Sequence, residues 1–282
     1  VLCFPGAHRL LVALPVYQQF GSTLFRENPF HHLSNRHYLR QGLSVRQRIQ
    51  YVTDHYAVES RQWNESYYQA VYGGPGLELW RHEGEEAVFT IRLYAAERLV
   101  SEGDLRLTLY VDKLPLHHIN FSWLLESKGA IVPFIGRSQG CSNYHPEAMA
   151  AFEKCFPQNS AAYFCYSAVV GMASGGSDLA GVRGVRGEEQ LGAEPDDGEQ
   201  FHRAYDSVWQ NMGGSDDGGL GIYIPLPDHD KPLTQTSNSR RRRARKRRLH
   251  WAAIEAATGA ALTPCMSAAN SAPSRWSDAQ TP

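Results

Sequence analysis

Several residue groups in this sequence have types and spacings suited to chemistry. The segment Ile135-Gly136-Arg137-Ser138-Gln139-Gly140-Cys141-Ser142 follows a run with strand character and precedes a helix led by Pro146. A turn of that kind can aim backbone N–H groups at an anion, with the helix dipole and the Arg137 side chain adding positive charge. Arg137, Gln139, Gly140 and Ser142 are therefore candidate phosphate ligands. The same pattern describes a structural strand-to-helix turn, which is the plainer reading. His118 and Ser122 are weak catalytic candidates, because the period-two alternation places them on one face of a strand with Asn120. No GxSxG elbow and no assignable His/Asp pair accompanies Ser138, Ser142 or Cys141.

Metal chemistry is not expected. His31, His32 and His37 form one cluster, and His117 and His118 another. Neighbours on a strand point to opposite faces, so His117 and His118 cannot share an ion, and no HExxH or acidic partner accompanies any of these residues. Cys155 and Cys165 read as small core residues on helices.

The third group is a charge run. The 282-residue chain has 28 basic and 29 acidic residues and a net charge of −1. Eight of the basic residues lie together as Arg240, Arg241, Arg242, Arg243, Arg245, Lys246, Arg247 and Arg248, and the rest of the chain has 20 basic against 29 acidic residues, or −9. Such a block repels itself until an anionic membrane, another polyanion or the acidic body neutralises it. Nucleic acid is the lesser candidate, since no aromatic interleaves the run before Trp251 and no recognised nucleic-acid fold surrounds it.

These groups need elements to position them. In Gly42–Val58, Ser44 with Gln47 forms a capping box, and Val45, Ile49, Val52 and Tyr56 recur at helical spacing. A second helical run ends at Gly73-Gly74-Pro75-Gly76. Period-two patterning follows: a hairpin turning at Glu83-Gly84, then Leu105, Leu107, Leu109 and Val111 alternating with Arg106, Thr108 and Tyr110, then a turn at Asp112-Lys113, a strand over Leu116–Leu125 and another over Ile131–Gly136. Connections this short dictate an antiparallel meander. Helices are predicted from Pro146 and over Ser160–Ala173, strands near Leu179–Arg183 and Gly221–Leu226, and a short helix over Tyr205–Met212. The acidic stretch Gly187–Glu199 reads as an exposed loop.

The fold class expected is α+β: a mostly antiparallel sheet of about five to seven strands, with N-terminal helices and further helices after residue 146. The expected organisation is an N-terminal extension (1–29), one α+β domain (30–235), a basic segment (236–249) and a largely disordered tail (250–282) in which Trp251–Ala257 alone has helical character. Within the domain, residues 30–75 are helical, 76–137 form the meander and 138–235 mix helix and strand. Five cysteines without paired spacing (Cys3, Cys141, Cys155, Cys165 and Cys265) indicate neither a disulfide framework nor a zinc site and fit a reducing compartment. Leu10–Tyr17 is apolar but short, contains Pro15 and lacks a clear cleavage site, so it is not read as a leader. No run reaches the roughly 18 apolar residues of a membrane span. The location expected is cytoplasmic, with peripheral contact at the inner membrane.

Two resemblances follow. Arg137, Gly140 and Ser142 loosely resemble the arginine/glutamine and glycine loop with which GNAT acyltransferases hold the pyrophosphate of acetyl coenzyme A, although a second loop glycine or alanine is lacking. That resemblance implies a GNAT-like fold and an acyl-CoA cofactor; otherwise no cofactor is expected. A wider set of segments resembles the VirK/YbjX family: Arg36-His37-Tyr38-Leu39, Gly42–Arg48, His55-Tyr56, Gly103-Asp104-Leu105, Phe121-Ser122-Trp123, Gly136–Gly140, Phe156–Ser160, Tyr205–Trp209, Pro225-Leu226-Pro227 and the arginine run from Arg240. They keep their order from Phe30 to Arg248. This resemblance implies a bacterial accessory role in Gram-negative envelope function, virulence and tolerance of cationic antimicrobial peptides. It carries no catalytic residue.

Overall fold

The structure, a computed structural model, describes residues 6, 9, 12–24, 38–96, 102–126, 129–141, 145–174, 181–189, 206–226 and 238–267, with backbone alone for 21–24 and 238–240. Its centre is a seven-stranded sheet in the order β1 to β7: β1 Leu77–Glu83, β2 Val88–Ala95, β3 Leu105–Val111, β4 Leu114–Leu125, β5 Ile131–Gly140, β6 Gly181–Gly184 and β7 Ile222–Pro225. All neighbours are antiparallel except β5 and β6, which pair in parallel. That exception follows from the chain path. Two helices, α4 (Pro146–Cys155) and α5 (Ala161–Ser174), lie between β5 and β6, and a parallel neighbour requires a crossover of this length.

Alternation sorts the sheet into two faces. Leu105, Leu107, Leu109, Ile119 and Phe121 share one, all nearly or fully buried. The α4 and α5 aromatics pack on it: Phe89 lies 4.9 Å from Phe156 between ring centroids, and Trp80 lies 5.7 Å from Phe164. The opposite face bears Ser122 and Asp104, which meet Tyr38. Here lie α2 (Val45–Gln62), α3 (Glu65–Val71) and α1 (Pro15–Leu24). The Ser44–Gln47 capping box predicted for α2 is present, and Asn64 caps α3. The segment taken for an N-terminal extension joins the core, because Pro15 opens α1 and Val16, Tyr17 and Phe20 are buried, Tyr17 edge-on to Tyr56 at 5.3 Å.

The other departure is at the basic end. Residues Asn238–Leu262 form one helix, α6, followed by a 3-10 turn over Thr263–Cys265. Ile254, Thr258 and Leu262 are buried against α5 and β1, and Trp251 stacks on Tyr163 at 4.9 Å. Past the helix, the Asn64 amide donates to Pro264 and Met266 carbonyls, and Trp63 forms a β-bridge to Met266. The stretch from 250 to 267 is thus tied at both ends: the helical character expected at Trp251–Ala257 is present within α6, and the loose tail expected around it is replaced by packing, since its small residues let two helices approach closely. Residues 268–282 lie outside the described residues. Among the described residues, no helix is long and apolar enough to cross a membrane.

Candidate functional site

The residues expected to form a Gly-rich loop are strand. β5 runs through Gly140 and pairs with β4 as His118↔Gln139, Ile119↔Ser138 and Asn120↔Arg137. Arg137 and Gln139 therefore project from one face, and Ser138 and Gly140 lie on the other. A helix-capped anion cradle needs curled backbone, whereas β5 is extended through Gly140 and the Cys141 N–H donates to the Leu116 carbonyl. Ser142, His31, His32 and His37 lie outside the described residues. Among the described residues no group of three or more His, Cys, Asp or Glu side chains could hold a metal ion.

Arg137 instead joins a cross-strand assembly that no sequence motif groups. Register places Tyr94, Arg106, Asn120 and Arg137 on one rung, and Arg92, Thr108, His118 and Gln139 on the next. Arg137 Nη1 donates to Glu102 Oε1 at 2.6 Å, and Asn120 Nδ2 donates to Glu102 Oε2 at 3.3 Å. Arg106 Nε donates to Asn120 Oδ1 at 3.1 Å, so a neutral amide stands where a guanidinium ordinarily finds a carboxylate. Towards β2 this face opens into a depression of about 490 Å³ lined by Arg81, Thr90, Arg92, Tyr94, Tyr110 and Lys113 among others.

His118 sits within this assembly, half-buried, with Nδ1 3.6 Å from Cys141 Sγ. Burial and the adjacent Arg106 and Arg137 charges lower its pKa to about 4, so it is a neutral imidazole at pH 7. Burial raises the Cys141 thiol above its ordinary value, against the pull of Arg106. The pair is a thiol and a neutral imidazole beside two cations, an arrangement that can accept a proton and stabilise an anion. His117 points to the opposite, helix-covered face. Its Nε2 is 2.9 Å from Ser138 Oγ, and burial, with His118 next to it, lowers its pKa to about 3.

Ser122 does not share this environment. It is fully buried, donates to Asp104 Oδ2 at 2.7 Å and accepts the Asp104 N–H at 3.0 Å, beneath Tyr38. Tyr38 donates to the same Asp104 oxygen at 2.5 Å. A hydroxyl so enclosed and so fully engaged holds β3, β4 and the Tyr38 segment together, and no substrate can reach it. The alternation of β4 holds, so Ser122 does share a face with Asn120 and His118, but it lies farther along the strand, where Tyr38 covers it; the register shift against β5 leaves Gly136 as the extra residue.

A second buried knot lies between α2, α3 and β4. Glu59, fully buried, accepts from Tyr67 at 2.7 Å and Tyr72 at 2.5 Å, and lies 3.6 Å from His55 Nε2. Burial raises the Glu59 carboxyl, partly offset by His55 and the two phenols. The Trp123 backbone N–H donates to His55 Nδ1 at 3.2 Å, which places the imidazole proton on Nε2, towards Glu59.

The basic run forms the first part of α6. Arg242, Arg243, Arg245 and Lys246 are exposed, Arg241, Arg247 and Arg248 are half-buried, and the Arg240 side chain is outside the described residues. Leu249, 71% exposed, presents an apolar side chain beside them.

Residues 18–257 match the family described as protein of unknown function (DUF535). The chain is also similar to the uncharacterized protein YbjX of Escherichia coli (strain K12), at 25% identity over 225 residues, which cover 76% of this chain and 66% of that relative's length. No solved structure matches. Several residues that carry the VirK/YbjX resemblance are those the fold brings together, with Tyr38, Asp104 and Ser122 in one knot and His55 bonded to Trp123 in the other. The chain belongs to the DUF535 family, the VirK/YbjX group that these segments resemble.

Proposed function

We propose that the chain is an accessory protein of the Gram-negative envelope, supporting envelope integrity, virulence and tolerance of cationic antimicrobial peptides by binding an anionic surface at the inner leaflet. One observation carries the mechanical part of this reading. α6 is anchored through Ile254, Thr258 and Leu262, while Arg242, Arg243, Arg245 and Lys246 project into solvent. An anchored helix holds its charges out as a fixed array, and each Lys or Arg near an anionic leaflet contributes about 1 kcal/mol. Within α6 the acidic residue is Glu255, one turn or more beyond the run, so no acid three or four residues away neutralises the array. The envelope setting is supported by the family resemblance. Flotation with vesicles containing phosphatidylglycerol tests the surface contact. The full chain floats, and a variant with Gln at Arg242, Arg243, Arg245 and Lys246 stays behind; equal partitioning of both sinks this reading. Retention on nucleic acid with a steep salt dependence, alongside no flotation, would shift the partner to nucleic acid.

A second reading, acyl transfer from acyl coenzyme A, is favoured by one feature of the sheet. β5 and β6 register only as Phe134↔Arg183 and Ile135↔Gly184, and β5 then continues through Gly136–Gly140 paired with β4. The end of this parallel pair carries Arg137 and Gln139 and adjoins His118, where a diphosphate and a proton acceptor would be needed. Incubation with labelled acyl coenzyme A and total envelope lipid or protein tests it, and the absence of any labelled product ends it.

A further inference from the structure

The polar face of β2 to β5 is a second charged feature, separate from α6. Its charges are unevenly matched. Arg92 pairs with Glu78 at 2.7 Å, Arg81 with Glu83 at 3.1 Å and Arg137 with Glu102. Both Glu102 oxygens are occupied. Arg106 is left with Asn120 alone among the described residues, and the half-buried Gln139 side chain has no hydrogen-bond partner among them. Adjacent strands lie about 4.8 Å apart, so Arg106 and Arg137, one strand on either side of Asn120, start roughly 10 Å apart. Their side chains are linked from the two sides: Arg106 Nε bonds to Asn120, whose Nδ2 bonds to one oxygen of Glu102, and Arg137 Nη1 bonds to the other.

We propose that this face is a binding site for a diphosphate group, held by Arg106, Arg137 and Gln139. A guanidinium presents paired N–H donors that match phosphate oxygens, and two guanidiniums on flanking strands match two linked phosphates better than one carboxylate. The adjoining depression continues the site: Lys113 and Asp112 line it together with Arg92 and Arg81, which are paired with Glu78 and Glu83, and Tyr94 and Tyr110, 6.4 Å apart between ring centroids, give it an aromatic wall. A ligand with a planar base next to its diphosphate fits that sequence of contacts. The site stands apart from the anionic-surface reading, and although acyl transfer would need it, the site does not need acyl transfer.

His118 reports on the site. It is faced by Arg106 from β3, by Arg137 and Cys141 from β5 and its end, and by Arg92 with Glu78 further along the rung, with Glu102 beyond Asn120 and His117 beside it on β4. Burial lowers the His118 pKa first and the Arg106 and Arg137 charges lower it further; an anion bound between the guanidiniums cancels much of that second contribution, so binding takes up a proton.

Titration calorimetry of the full chain at pH 5.5, in two buffers of different ionisation heat, tests this with inorganic pyrophosphate and with coenzyme A. Both are expected to bind and to compete. Arg106→Gln should weaken both at least tenfold while Arg106→Lys retains part of the affinity, thermal melts confirming that each variant is folded. His118→Gln should bind without proton uptake, and Gln at Arg242 and Arg243 should change nothing. Pyrophosphate binding without coenzyme A supports the site, assigns it to the free diphosphate and ends the acyl-CoA reading alone. No heat with either ligand, or binding that survives Arg106→Gln and disappears with the α6 substitutions, overturns the proposal.

Discussion

Glu102 lies under Arg137, its carboxylate 2.6 Å from the guanidinium, and is almost fully buried where Arg137 is about one third exposed. The acid therefore holds the base flat against the sheet. Glu102→Gln removes the charge and keeps the shape. The expected outcome is a stability loss of roughly 1–3 kcal/mol, as for a buried partner left imperfectly matched. The freed Arg137 should bind pyrophosphate more tightly than in the parent chain. Urea denaturation checks the first effect and calorimetry the second; weaker pyrophosphate binding in a folded variant would show that Glu102 supports Arg137's grip and does not compete for it.

His117 and His118 make stability depend on pH in a definite direction. Their folded pKa values are about 3 and about 4, set first by burial, whereas unfolded imidazole titrates near about 6.5. Between those values the unfolded chain holds more protons. Stability is thus full above pH about 6.5 and falls as pH drops, with a slope approaching about 1.4 kcal/mol per pH unit for each imidazole. Urea midpoints from pH 7.5 to 4.5 should show the fall. His117→Gln, which can still bond to Ser138, should remove part of the slope, and an unchanged slope would contradict this assignment.

The Glu59 knot predicts coupling. Tyr67 and Tyr72 each give one hydroxyl to the same buried carboxylate, and His55 ties that carboxylate to the β4 backbone. Tyr67→Phe and Tyr72→Phe should each cost roughly 1–3 kcal/mol. Because they share one acceptor, the double variant should depart from the sum of the singles. A double-mutant cycle from denaturant melts measures the departure, and strict additivity would mean that the two hydroxyls act independently.

Much of this fold is legible in the sequence because local signals agree with it. The Ser44–Gln47 capping box, the alternation of Leu105 to Val111 and Pro146 at a helix start each fix their element without tertiary help. The candidate site is less legible. Gly136 and Gly140 read as a turn, yet Gly136 lies within a strand where a Cβ would fall 2.2 Å from the Glu102 carbonyl and 2.8 Å from that of Leu39. Its glycine serves close packing, which a single sequence cannot distinguish from backbone bending. Arg106 and Arg137 meet through two register choices across β4, and such register depends on the whole sheet. His118, marked by its shared face alone, has its pKa lowered first by burial in the assembled sheet and then by neighbours 12 and 19 positions away.

The last part of the chain, beyond Ala257, reads as loose for a related reason, and it gives the sharpest structural test. Gly171 in α5 faces α6 so closely that a Cβ would meet the Glu255 carbonyl oxygen at 2.7 Å, Glu255 Cα at 2.9 Å and Thr258 Cβ at 2.9 Å. Backbone atoms cannot swing aside, so any side chain there must push the helices apart. Gly171→Ala should therefore destabilise the chain by roughly 1–3 kcal/mol, the usual range for overpacking a core. Gly171→Leu should detach α6 and expose Ile254 and Leu262, with faster amide exchange across 250–262 while exchange in β3 and β4 stays slow. The basic residues are unchanged in this variant. If the anchored array matters, vesicle flotation weakens although every charge remains; if flotation persists in full with α6 released, the charges act as a flexible block and the anchoring of the helix plays no part in surface binding.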